Sequence, residues 1–571
     1  GDLVINADVV SGTGNITLDT GNDLAVNAIV TTGGSGTIYL RSGNDTTLNS
    51  QLTNSSGDIL VESGGDLTLT ELIASSSGNV ALITGGALSQ TADGDVATGG
   101  DVLVDANTDW NMSGSTVITA SGNVVGQVLG GNLTVGVITG VNVALAASGS
   151  IVDANASSLN ITADNLSLRA DGGLIGSHDN TNGTLGQNAN AIDIAVATLA
   201  ADADSGIYIS ESDSVAITTI AAFTVNVGSA LRVNFNSTLS SVGQSRSTVG
   251  LEDLSTGTNG PIKLISESGS ITIDGGSGGP GVSANGSGDV LLESRGGDLV
   301  INADVVSGTG NVTLDADNDL AVNSAVATGG SGTIYVRSGN STILADVLSS
   351  DSGDILVDSA ANLTQAALIT STSGDVGLIT GGTLNQTGNG DVITGGDVLV
   401  SAGTDWTMAG DTEITATGNV VGKALGGDLT LGVITGENVA LTVSGSIIDA
   451  NAGLLNITAD NLSLRADSGL IGNHDNANGT PGENANAIDI AVSTLAANSD
   501  SGIHVSETDS LTVTTVAEVA VDIDSVVRVN FNSTTADVSV DGNTAALEDL
   551  STDSNGPIKL ISESGSITID G

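Results

Sequence analysis

Residues 57–82 read GDILVESGGDLTLTELIASSSGNVAL. A polar residue, Asp58, opens an aliphatic-any-aliphatic run, Ile59-Leu60-Val61, and 21 residues later Asn79 opens another, Val80-Ala81-Leu82. Between the two, Gly65 and Asp66 introduce a second short run, Leu67-Thr68-Leu69. Alternation of aliphatic with small polar residues is the two-residue period of a half-buried strand. Gly at the corners permits positive φ, and Asn or Asp tolerates it.

The same figure extends in both directions. It recurs at Asn15-Ile16-Thr17-Leu18, Thr37-Ile38-Tyr39-Leu40, Asp101-Val102-Leu103-Val104 and Asn142-Val143-Ala144-Leu145, mostly 21 or 22 residues apart. Asn22-Asp23-Leu24-Ala25-Val26 and Gly131-Asn132-Leu133-Thr134-Val135 repeat the intervening run. A period of this length belongs to a β-helix or a leucine-rich coil, not to a propeller blade, and no segment carries the helical apolar spacing that leucine-rich backs require. One coil cannot bury its inward Ile, Leu and Val alone; the next coil, stacked about 4.8 Å above, pairs the backbone and closes the core. The expected fold is all-β, a right-handed parallel β-helix (β-solenoid) of about 21 residues per coil and about 27 coils.

A longer repeat lies over the short one. GDLVINADVVSGTG at Gly1–Gly14 recurs at Gly297–Gly310, 296 residues on, and the match continues without a gap. Trp110 pairs with Trp406, His178 with His474, Arg169 with Arg465, Arg232 with Arg528, Phe235 with Phe531 and Lys263 with Lys559. The units are 1–296 and 297–571, the second truncated before its junction, which reads as a window on a longer tandem array. Residues 163–275 and their copy 459–571 keep less regular time. Within them the polar stretches 177–190 and 473–486 read as loops projecting from the solenoid, where binding is usually carried.

Composition bounds the function. Gly numbers 80 and Pro 4, and charged residues make up 13%, yet 39% hydrophobic content and a mean hydropathy of +0.24 argue against disorder. The formal charge of −54 excludes nucleic acid, whose binding needs Lys and Arg, and disfavours anionic lipid. It suits a soluble, self-repelling rod. There is no Cys, so no disulfide staples the fold and repetition must stabilise it. No apolar run approaches the roughly 18 residues of a membrane span, so no membrane insertion is expected in this segment.

Chemistry-bearing residues are sparse. His178-Asp179 and His474-Asp475 lie in the projecting stretches and are the binding-loop candidates, but neither pair has a third ligand or a nucleophile at suitable spacing. His504 aligns with Tyr208, which argues against a fixed catalytic role. Arg169, Arg232 and Lys263 are scattered singly, unlike the clustered cations of a lyase acting on acidic polysaccharide. The reading is therefore of a protein that is not an enzyme and has no cofactor. Trp110 and Trp406 are assigned to coil packing, since so few aromatics cannot form a sugar-stacking face. Gly286-Ser287-Gly288-Asp289 and Gly388-Asn389-Gly390-Asp391 only approach a calcium-binding nonapeptide and do not repeat in tandem. Asp23, Asp45 and Asp66, at spacings of 22 and 21, are expected to stack along the axis and are the candidates for weak, distributed Ca²⁺ binding.

The runs SGTGNITLDTGNDLAVN, NLSLRADGGLIG and NGPIKLISESGSITIDG resemble the repeat regions of large bacterial filamentous haemagglutinin-like adhesins and related surface proteins. The resemblance covers essentially the whole chain and implies a right-handed parallel β-helix, export through an outer membrane and an extracellular, cell-surface place. It implies as partners the neighbouring repeats, other copies of the chain, and a cell-surface or glycan receptor. No functional residue can be carried over from it. The expectation is a structural repeat unit of a long filament or sheath, the alternative an adhesin stalk that presents the loops.

Overall fold

The computed structural model describes residues 1–156, 158–178, 190–474 and 486–570. Among them there is no helix, and the strands of the main sheets pair in parallel. Two compact units emerge: Gly1–Gly288 with Phe531–Thr534, and Asp289–Asn530 with Thr535–Gly571.

Each regular coil carries three strands. In the first unit Leu24–Val26, Val30–Thr32 and Ile38–Ser42 make one coil, and Thr46–Leu48, Leu52–Asn54 and Ile59–Ser63 the next. Successive coils stack in register, Leu24 on Thr46 on Leu67, Val30 on Leu52 on Ile73, and Ile38 on Ile59 on Val80. The second unit repeats this with Ile334 on Ile355 on Val376. The chain is thus a parallel β-solenoid, as its period implies. It has about 22 turns, fewer than the expected 27. The difference arises in the irregular region, where Asp193 stacks on Asn160 at a separation of 33 residues and Ser255 on Asp202 at 53.

Inside the coil, alternate side chains of the three-residue strands are buried, and Ile59, Leu67, Ile73 and Val80 have no exposed surface. Polar residues also enter the core, at the ends of strands. Thr32 Oγ1 donates to the Gly14 carbonyl at 2.6 Å and Ser75 Oγ to the Gly57 carbonyl at 3.0 Å, so the corner carbonyls are satisfied from within. At that corner the backbones approach closely. A Cβ on Gly57 would lie 2.0 Å from the Gly36 carbonyl oxygen, and one on Gly78 equally close to that of Gly57, which restricts the position to glycine.

The irregular region holds an element that alternation alone does not announce. Thr224–Val227 pairs antiparallel with Gln244–Ser247, and Leu231–Val233 with Leu239–Ser241, forming a hairpin inserted between the strands Val215–Thr218 and Leu254–Thr256. It lies along the outside of the coils and steps down them every two or three residues. Asn226 accepts from Asn79, Ser229 donates to Asp58, Leu231 N to Thr37 Oγ1 and Val233 N to Thr17 Oγ1. Arg246 pairs with Asp105 and Arg232 with Asp19, pinning both ends.

Beneath the hairpin lies an outward row of apolar side chains: Tyr39, Leu60, Ala81, Leu103 and Val125, each at most 3% exposed. Val225, Val227 and Ala230 close over them. In the second unit Val519–Val529 and Thr535–Thr544 form the same cover over Tyr335, Leu356, Leu399 and Val421. In the five runs under the first hairpin the middle residue, Tyr39, Leu60, Ala81, Leu103 or Val125, is therefore a buried position with its own partner, which explains its apolar character. The solenoid strand that carries it is buried on both faces.

Candidate functional site

Two sequence-derived sites and one set of buried carboxyls invite a functional reading. The first is the polar stretch of each unit, 177–190 and 473–486, which the sequence reads as a loop. Gly176 (φ 65°) turns the chain out of the coil beneath the Tyr208 carbonyl, where a Cβ would lie 2.3 Å from that oxygen; Gly472 (φ 63°) does the same in the second unit. Ser177 N donates to the Asn190 carbonyl at 2.8 Å, and Asn473 N to that of Asn486 at 2.7 Å, so each segment leaves and re-enters its coil at one pinned point. Asp179 and Asp475 lie outside the described residues, as do the other residues of 179–189 and 475–485.

The two histidines are placed differently. His178 is partly buried, its ring 5.5 Å from that of Tyr208 and its Nδ1 buried without a hydrogen-bond partner among the described residues. His474 is exposed and stands edge-on to His504 at 5.7 Å. His504 is 1% exposed, and burial, helped by the charge of Lys559, holds its pKa below the usual imidazole range. Tyr208 itself carries Lys263 Nζ 5.9 Å from its ring centre and packs edge-on against Phe531 at 5.9 Å, within the first unit. These are packing arrangements around a coil. They bring no nucleophile or metal-ligand set to either histidine, and no group of three His, Cys, Asp or Glu that could hold a metal occurs among the described residues.

The stacked acids have a definite task. Asp45 N donates to Asp23 Oδ1 at 3.3 Å, Asp66 N to Asp45 Oδ1 at 2.8 Å, and Ala87 N to Asp66 Oδ1 at 2.8 Å. Each carboxylate satisfies the corner N–H of the coil above. At another corner Asn79 Oδ1 accepts from Asp101 N at 2.8 Å, so a neutral amide serves equally well. The physical requirement is an acceptor oxygen, not a charge. Asp45→Asn is therefore expected to leave the denaturation midpoint almost unchanged, and Asp45→Ala to lower stability by about 1 kcal/mol. Were the row a Ca²⁺ site, the amide variant would lose a calcium-dependent rise in melting temperature that the parent displays.

Sequence reasoning passed over a third feature, the carboxyls at the root of the loop. Asn160, fully buried, donates to Asp153 Oδ1 at 2.7 Å and accepts from Asp193 N at 2.8 Å. Glu211, also fully buried, accepts from Val196 N at 3.0 Å and Ser212 N at 2.9 Å. Burial outweighs these donors and pushes Glu211 up to about 8 and Asp193 up to about 7. Asp489 and Glu507, their copies, are raised for the same reason. For Glu211 the signal in the sequence was an acid at an inward position of an alternating run, Ile207-Tyr208-Ile209-Ser210-Glu211; Asp193 stands on the face opposite the inward Ile192 and Ile194, and alternation gave no signal for it.

A folded pKa above the unfolded one means that the folded chain holds more protons between the two values, so stability falls as pH rises through that window. For Glu211 the window runs from 4.5 to about 8, and for Asp193 from 3.8 to about 7. His504 acts in the opposite sense below 6.5, but it is one group against several. Thermal unfolding followed by circular dichroism is expected to give a midpoint a few degrees higher at pH 5 than at pH 8. A midpoint that rises across this interval would contradict the assignment.

Arg232 and Arg528, the residues a lyase reading would need, are occupied in holding the hairpins, on Asp19 at 2.5 Å and Asp315 at 2.8 Å. Trp110 and Trp406 are fully buried in the coils, as their assignment to packing requires. In comparisons with known proteins the chain matches no protein-family model, no curated protein and no solved structure.

Proposed function

We propose that the chain is a structural repeat of a long extracellular filament or sheath on a bacterial cell surface, extended by stacking of solenoid coils. The observation that supports this most is what the 296-residue repeat keeps and what it lets drift. Kept are the packing trio Gln90, Trp110 and Gly126 (Gln386, Trp406 and Gly422) and the hairpin anchors Thr17, Thr37, Asp58, Ser229 and Arg232 (Thr313, Thr333, Asp354, Ser525 and Arg528). Exchanged is a residue with chemical potential, Tyr208 for His504. Duplication that preserves architecture while side-chain chemistry wanders is the mark of a part used for length.

Imaging of native cell-surface material labelled with an antibody to this chain tests the proposal. A uniform fibre with label recurring along it is the expected result; label confined to compact soluble particles would refute it. A second reading, the adhesin stalk, draws support from the pinned loop bases at Ser177–Asn190 and Asn473–Asn486. It requires that deleting both loops abolish attachment to a receptor or glycan while the coils stay folded.

A further inference from the structure

Where each hairpin leaves the solenoid face, a groove opens beside it: about 320 Å³ in the first unit and about 250 Å³ in the second. The chain has only 11 basic residues. Two of them, Arg169 and Arg246, line the first groove, and two more, Lys423 and Arg465, line the second. We infer that the second of these grooves is a binding site for an acidic saccharide, one or two sugar rings carrying a carboxylate.

The second groove makes the stronger case. Lys423, Thr442 and Arg465 stand on three successive rungs, Lys423 on Thr442 and Thr442 on Arg465. The two cations are thus about 10 Å apart with a hydroxyl between them. Acidic residues that flank this row in the first unit are gone: Asp105 becomes Ser401 and Asp202 becomes Asn498. Lys423 has no acidic partner among the described residues. Arg465 pairs with Asp467 at 2.6 Å, but both side chains are half exposed, and such a pair contributes little and exchanges readily. In the first groove both cations are neutralised: Arg169 pairs at 2.5 Å with Asp171, which also lines the groove, and Arg246 pairs with Asp105.

The remaining lining selects the ligand class. Thr442 and Ser463 offer hydroxyls and Asn543 an amide oxygen, which suit sugar hydroxyls, and Leu547 an apolar wall, while the Thr544 hydroxyl is used on the Val519 carbonyl. Arg and Lys recognise the carboxylate by charge-assisted hydrogen bonds. An acidic peptide is disfavoured, because the backbone groups of these strands are already used in coil-to-coil pairing and no edge is left for strand addition. With two cations against a formal charge of −54, a polyphosphate chain is disfavoured as well. The volume lies at the small end of ligand pockets and matches one or two rings.

Titration of the full chain with digalacturonate, and with maltose as the neutral comparison, by calorimetry in physiological salt tests the inference. One digalacturonate site and no maltose binding are expected. Lys423→Gln with Arg465→Gln weakens binding at least tenfold. These side chains lie at the surface, so an unchanged melting temperature certifies the fold of the variant. Absence of digalacturonate binding, equal binding of maltose, full binding by the double variant, or displacement by an Asp-rich peptide at equal concentration would each overturn the assignment.

Discussion

Replacing Trp406 by Ala is expected to destabilise the second unit by about 3–5 kcal/mol, among the largest effects of any single truncation in the chain. The indole has no exposed surface, and its Nε1 donates to Gln386 Oε1 at 2.7 Å. Its ring fills the space above Gly422, where an added Cβ would lie 2.4 Å from Cζ3. Truncation therefore opens a cavity that the neighbouring rungs cannot close, since their spacing is set by backbone pairing, and it leaves a buried amide oxygen without its donor. The reverse change, Gly422→Val, forces the ring from its place and costs about 1–3 kcal/mol or more. Combined, the two changes complement each other: denaturant unfolding of the double variant should give less destabilisation than the two single losses added together, with a coupling of about 0.5–3 kcal/mol. Strict additivity would mean that Trp406 and Gly422 do not share the space assigned to them. Trp110, Gln90 and Gly126 should behave alike in the first unit, where Nε1 donates to Gln90 Oε1 at 2.7 Å.

Val225→Asp is expected to lift the hairpin of the first unit from the coils without unfolding them. Val225 is fully buried between the hairpin and the row Leu60, Ala81 and Leu103, so a carboxylate there is out of water, and Arg246, opposite it across the hairpin, is committed to Asp105. The cost of burying it, several kcal/mol, exceeds what the ion pairs Arg232–Asp19 and Arg246–Asp105 retain, because both are partly exposed. The cheaper outcome is detachment. Hydrogen exchange should then rise across 224–247 while Ile38–Ser42, Ile59–Ser63 and Val80–Thr84 stay protected, and binding of a hydrophobic dye should increase as the apolar row is uncovered. Global unfolding at the same denaturant concentration would instead make the hairpin part of the cooperative core. Uncovered rows would also present apolar patches to other copies, so the variant should associate at concentrations where the parent stays dispersed.

Both predictions rest on positions whose importance was unevenly visible. The inward residues of each short strand declared themselves by alternation, and the period of 21 or 22 placed them one above another. The stacked row Asp23, Asp45 and Asp66 was legible as a row for the same reason, but its purpose was not. A spacing tells that carboxylates align along an axis, whereas only the geometry tells that each oxygen faces the corner N–H of the next coil. The paired His178 and His474 stood out as rare residue types, and the structure places them beside Tyr208 and His504 with no chemical set around them.

The sequence by itself determined the parallel coil, the 296-residue duplication and the inward face of the regular strands, because each depends on a period that stacking must respect rung by rung. Tertiary structure alone decided the outer cover. Whether Tyr39 or Leu60 faces water or a hairpin depends on a segment nearly 200 residues away, and nothing local in a two-residue alternation specifies a distant partner. The same holds for Gly126 beneath Trp110, for the carboxyls Asp193 and Glu211, and for the groove that Lys423 and Arg465 line. These are properties of which surfaces come together, and they follow from packing between segments that the local pattern does not connect.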